Sequence, residues 1–171
     1  MENKLSLGII GLGKMGSHLA LQCGDRGIAV IGKTLGKNEE LEKQGIKLTD
    51  NYEDFTKFLK QPRAIYLSLP AGRTVDKVLD ELIPYLDKGD VIMDGGNSFY
   101  RDSIDREKRI SEKGIYFLDT GTSGGISGAG DGACFMVGGK EEGIRIVHPF
   151  SRSLRYLVDL STQAPPARAI M

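Results

Sequence analysis

Along this chain short apolar runs alternate with charged stretches whose apolar residues recur every three or four positions. The first run, residues 5–10 (LSLGII), is interrupted only by Ser6 and Gly8 and reads as a strand buried on both faces. A helix is expected over 17–23, with Leu19 and Ala20 turned inward. Residues 28–31 predict a second strand, 35–44 a short charged helix stopped by Gly45, and 46–48 a third strand. Asp50-Asn51-Tyr52-Glu53 has the form of a capping box, opening a helix that carries Tyr52, Phe55, Phe58 and Leu59 into the core and closes before Pro62. Residues 64–69 predict the fourth strand, Val75 to Leu86 an amphipathic helix, and 90–94 the fifth strand. A helix over 100–113, a strand over 115–119, a glycine-rich loop over 120–132, a strand over 133–137 and a helix over 141–154 complete the pattern.

Strand-then-helix alternation with short connections implies an α/β fold: a doubly wound, Rossmann-type, mostly parallel sheet with helices on both faces. In such sheets ligands lie beyond the carboxyl ends of the strands. The first of those ends reads Gly11-Leu12-Gly13-Lys14-Met15-Gly16, the G-x-G-x-x-G spacing between a strand and a helix. Gly11 allows a tight turn, Gly13 lets a pyrophosphate approach the backbone, and Gly16 lets helix and strand pack closely. About twenty residues on, where an NAD site usually carries an acid for the ribose, stand Lys33 and Thr34, with Lys37 slightly later. A cation and a hydroxyl suit a 2'-phosphate, so NADP is the expected cofactor and NAD the alternative.

Charge and composition narrow the partners. The 23 basic side chains balance 23 acidic ones, which leaves no overall field for nucleic acid or an anionic membrane. Cys23 and Cys134 stand far apart without a C-x-x-C pair, and His18 and His148 are too few for a zinc cluster, so no metal is expected. No apolar stretch approaches a membrane span, and a cytoplasmic location is expected.

The phosphate loop, Leu69-Pro70-Ala71-Gly72, Asp94-Gly95-Gly96-Asn97-Ser98, and the run from Ser123-Gly124-Gly125 to Met136-Val137-Gly138-Gly139 together resemble the 6-phosphogluconate dehydrogenase (decarboxylating) family, in its short-chain bacterial branch. The resemblance runs to about Leu154 and is strongest over 91–139. It implies that Gly11 to Gly16 hold the pyrophosphate with Met15 near the nicotinamide, and that Leu69, Pro70 and Ala71 line the cofactor. It further implies that Asn97 faces both nicotinamide and sugar, and that Ser123, Gly124 and Gly125 bind a sugar-phosphate acid. In that family 6-phosphogluconate is oxidised and decarboxylated to ribulose 5-phosphate, in the pentose phosphate pathway, with a lysine base and a glutamate acid.

Neither catalytic residue has a candidate here, because the chain carries no lysine after Lys140 and no glutamate after Glu142. The expected organisation is a dinucleotide-binding domain over 1–154 and an aberrant tail over 155–171 in place of the family's helical domain, as in a truncation or shifted frame. Full-length relatives are expected to be homo-oligomers. Two alternatives stay open: a cofactor-binding module without catalysis, and a 3-hydroxyacid dehydrogenase relative acting on a non-phosphorylated substrate.

Overall fold

The computed structural model describes residues 6–36, 38–123, 134–154 and 156–159. Among these residues eight strands form one sheet: β1 (Ser6–Ile10), β2 (Ala29–Lys33), β3 (Lys47–Thr49), β4 (Ala64–Leu67), β5 (Val91–Asp94), β6 (Tyr116–Ser123), β7 (Cys134–Gly138) and β8 (Tyr156–Asp159). Their spatial order is β3-β2-β1-β4-β5-β6-β7-β8. The first six are parallel; β7 runs antiparallel to β6 and parallel to β8. The order reverses between β1 and β4, which opens a crevice at their carboxyl ends.

Among the described residues six helices cover the sheet: α1 (Lys14–Asp25), α2 (Glu39–Lys43), α3 (Tyr52–Lys57), α4 (Arg73–Leu82, continued by a 3-10 turn, Ile83–Tyr85), α5 (Tyr100–Ser111) and α6 (Glu141–Leu154). Period-two alternation divides β1, β2, β4, β5 and β6 between two cores. Leu7, Ile9, Val30, Tyr66 and Met93 lie in one with Leu19 and Cys23 of α1 and Ile144, Val147 and Phe150 of α6. Ile10, Ile31, Leu67, Ile92 and Phe117 lie in the other with Phe55 of α3, Leu79 of α4 and Ile110 of α5. Leu79 is fully buried, and truncating such a side chain to alanine costs about 2–5 kcal/mol. Gly8 faces the second core because a Cβ there would press on Phe55 and Leu59 at 2.6 and 2.8 Å.

Several boundaries differ from the sequence reading. Helix α1 starts at Lys14 rather than 17, so Gly16 is already helical. The cap of α3 is Asn51, which accepts from the Asp54 amide at 2.8 Å and donates to the Asp54 carboxylate at 3.0 Å, one residue later than the capping box placed it. Phe58 is not core: it is 41% exposed and carries the Lys47 ammonium over its ring. Strand β4 stops at Leu67, and β6 runs on through Thr120-Gly121-Thr122-Ser123, where a loop was expected. Residues 156–159, assigned to the tail, pair with β7 as β8. Cys23 is a free, buried thiol whose pKa burial pushes up to about 12, as befits a small core residue.

Candidate functional site

The amino-terminal edge of the sheet is closed by structural contacts: Arg63 meets Asp90 at 2.7 Å, and the Lys60 amide donates to Ser6 Oγ at 3.0 Å. The carboxyl edge is where the glycines collect. Gly11 has φ +93°, and a Cβ on it would run into the Ser68 carbonyl. A Cβ on Gly16 would run into the Gly11 carbonyl, because α1 leaves the loop at close range. Packing therefore requires both glycines. Gly13 is different: its φ of −73° suits any residue, and an added Cβ would meet nothing within 4 Å. Side-chain packing gives no reason for glycine at 13.

Gly13 caps α1 without a side-chain hydrogen bond, and no acid stands in the first turn. The amides of Lys14, Met15 and Gly16 occupy the helix positions that have no intrahelical acceptor, beside the exposed Gly13 and at the positive end of the helix dipole. That is a site for an anion the backbone can approach closely. Leu12 anchors the loop by packing over Gly32, where a Cβ would stand 2.6 Å from it.

Beside Gly32, β2 ends at Lys33. This lysine is only 7% exposed, and its ammonium lies 4.8 Å from the centroid of the Tyr52 ring. Burial, then Glu81, pushes the Tyr52 phenol up to about 12, so the ring stays neutral beneath the cation. Thr34 opens a cavity of about 420 Å³ at the ends of β2 and β3, floored by Leu48 and Phe58. Its rim carries Glu42, Asp50 and Asp54. Lys37 lies outside the described residues.

On the other side of β1, the ends of β4 and β5 touch. A Cβ on Gly96 would stand 2.5 Å from the Leu69 carbonyl, and one on Gly95 would fall on the Tyr66 hydroxyl. Leu69 is half-buried against the second core, whereas Pro70, Ala71 and Asn97 are exposed. Asn97 adopts φ +55°, the single non-glycine residue with positive φ among those described. Ser123 is exposed at the end of β6, paired with Cys134. Gly124 and Gly125 lie outside the described residues. Gly11, Leu12, Gly13, Met15, Leu69 and Asn97 thus share the carboxyl edge, along adjacent strands.

Three side chains to which the sequence reading gave no role build this edge. Asp94, fully buried, accepts from the Gly96 amide at 3.0 Å and from Ser98 Oγ at 2.7 Å, and faces Arg106 at 3.4 Å. Tyr66 reaches across β5 to share a 2.7 Å hydrogen bond with Thr122. A buried acid closing an apolar strand, and an arginine at helical spacing from Ser103 and Ile110, were the available signals. Asp119, opposite Asp94 on β6, has a carboxyl that burial and then the Asp94 charge push up to about 6. No group of three or more metal-ligating side chains occurs among the described residues.

Residues 6–154 match the family described as the NAD binding domain of 6-phosphogluconate dehydrogenase. The chain belongs to that family. It is 44% identical over 150 residues to the YqeC protein of Bacillus subtilis, covering 86% of this chain and 50% of that one. It is 40% identical over 158 residues to a decarboxylating 6-phosphogluconate dehydrogenase of Escherichia coli, covering 89% and 34%. Among solved structures, the Plasmodium falciparum 6-phosphogluconate dehydrogenase superposes with a TM-score of 0.82 at 32% identity, over 91% of this chain and 35% of that one. The chain therefore spans about half to a third of the length of these relatives. A Salmonella typhimurium 3-hydroxyisobutyrate dehydrogenase, at 20% identity and TM-score 0.85, shares the fold. The family is one of oxidoreductases, and residues 6–154 are its NAD(P)-binding domain. No helix among the described residues is long and apolar enough to cross a membrane.

Proposed function

We propose that this chain supplies the cofactor site and part of the sugar-acid site for the oxidative decarboxylation of 6-phosphogluconate to ribulose 5-phosphate, with NADP as preferred acceptor. The carrying observation is Gly13: of the three loop glycines it alone is not required by packing or by a positive φ, and it stands open at the start of α1, where no side chain caps the helix. A pyrophosphate against the amides of residues 14–16 supplies a reason for it. Leu69, Pro70, Ala71 and Met15 then line the nicotinamide, whose chemistry is to accept a hydride. Asn97 and Ser123, with Gly124 and Gly125, orient the sugar acid beside it. A small-molecule substrate held this way is brought to reacting distance by placement alone.

Lys33 and Thr34 are the residues proposed for the 2'-phosphate. The cavity beside Thr34 is lined by three carboxylates and not by Lys33, so on this reading Lys33 turns from the Tyr52 ring to meet the phosphate. A calorimetric titration tests the whole reading: NADP+ binds first, and 6-phosphogluconate then binds to the NADP+-saturated chain. Asn97→Ala is expected to weaken the sugar acid by about tenfold, the loss of one or two hydrogen bonds. Sugar-acid binding that is absent, or indifferent to Asn97, overturns the substrate assignment.

A further inference from the structure

Arg106 lies on α5 with 3% of its side chain exposed. Its five N–H groups meet five acceptors. Nε donates to Asp76 Oδ1 at 2.7 Å and Nη2 to Asp76 Oδ2 at 3.1 Å, a bidentate pair. Nη2 also donates to the Gly72 carbonyl at 3.1 Å. Nη1 donates to Ser98 Oγ at 3.0 Å and faces Asp94 Oδ2 at 3.4 Å. Burial alone would lower the guanidinium's pKa, yet the bonds to Asp76 and the charges of Asp76, Asp94 and Asp102 raise it. Asp76 is in turn held below the usual carboxylate range by the Arg106 hydrogen bonds.

The acceptors belong to two different loops. Gly72, at φ +92°, ends the Leu69-Pro70-Ala71 segment and caps α4. Asp94 and Ser98 bracket Asn97, and Gly96 is tied to Asp94 as well. The loops also touch directly, Gly96 lying against the Leu69 carbonyl. One buried cation therefore fixes the spacing of the two segments that the proposed function assigns to the nicotinamide. The adenosine-side elements, the ends of β2 and β3, make none of these hydrogen bonds.

We propose that Arg106 is a positioning residue for the nicotinamide half of the cofactor: it holds the 69–72 and 94–98 loops in register without touching the cofactor. The proposal rests on the cofactor reading above, and the test separates the two. Affinities for NADPH and for adenosine 2',5'-bisphosphate, which lacks the nicotinamide, are measured by calorimetry on parent, Arg106→Lys and Asp76→Asn chains. A lysine cannot reproduce the fork.

The parent is expected to bind NADPH more tightly than the bisphosphate. Arg106→Lys is expected to lose about tenfold or more for NADPH while changing less than about twofold for the bisphosphate. Asp76→Asn, which keeps the arginine and removes one charge at a half-exposed position, is expected to show the same selective loss at smaller size. It carries the test if the lysine variant does not fold. Equal losses for both ligands, or none, in the folded variants overturn the positioning role. A parent that binds neither ligand overturns the cofactor reading and this proposal with it.

Discussion

Replacing Asp119 by asparagine should make the protein more stable at neutral pH and leave it nearly unchanged in acid. Asp119 is 6% exposed and stands in register with Asp94, which is fully buried and owns the Arg106 contact. Burial first, and the Asp94 charge second, raise the Asp119 carboxyl from 3.8 to about 6, against the pull of Arg106 and the Thr120 backbone. The folded state therefore holds this proton more tightly than the unfolded chain. The stability it confers is complete below about pH 4 and is lost as the pH rises through about 6. At ~1.4 kcal/mol per unit the rise corresponds to a ceiling of ~3 kcal/mol. Solvent screening of the carboxyl lowers this to ~1–2 kcal/mol. Urea unfolding of parent and Asp119→Asn at about pH 5 and pH 8 measures it. The gap should open on going to the higher pH, and a gap that is constant, or widens toward acid, refutes the reasoning.

Lys33→Met should weaken NADP+ by ~1–2 kcal/mol and spare NAD+. A charge-assisted phosphate contact of ~1.5–3 kcal/mol is lost, less the ~0.5–1 kcal/mol of leaving the Tyr52 ring; equal losses in calorimetry with both cofactors count against the assignment. Gly95→Ala should destabilise by ~1–3 kcal/mol in thermal unfolding, because its Cβ displaces the Tyr66 hydroxyl from Thr122 in a packed site; an unchanged midpoint contradicts it. A polypeptide of these 171 residues should form no measurable NADPH from 6-phosphogluconate, since general base and general acid each contribute ~10²–10⁴-fold and neither has a candidate after Glu142. Turnover abolished by Asn97→Ala would assign proton transfer to a residue within this chain.

The strands and the glycine loop were legible because burial on both sheet faces forces continuous apolar runs, and because G-x-G-x-x-G between strand and helix has few other uses. The extension of β6 to Ser123 was not: Thr120 and Thr122 are polar, and the strand continues there because β7 pairs with it. Phe58 had helical spacing with Phe55, yet α3 ends at Lys57 and leaves it outside the core. The roles of Arg106, Asp94 and Tyr66 escaped because, apart from the local bonds of Asp94 to Gly96 and Ser98, they lie in partners 8 to 56 positions away. Gly13 was legible as a motif position, and the structure adds that packing does not account for it.

The central claim is that Gly13 is glycine for the sake of a bound pyrophosphate. Calorimetric titration of NADP+ into the parent and into Gly13→Val, with the unfolding midpoint of each, tests it directly. The account predicts that the parent binds and the variant does not, while the midpoint moves little, because the valine projects into open space at an ordinary φ of −73°. A folded Gly13→Val chain that binds NADP+ as tightly as the parent contradicts the claim and leaves residues 11–16 as a structural turn.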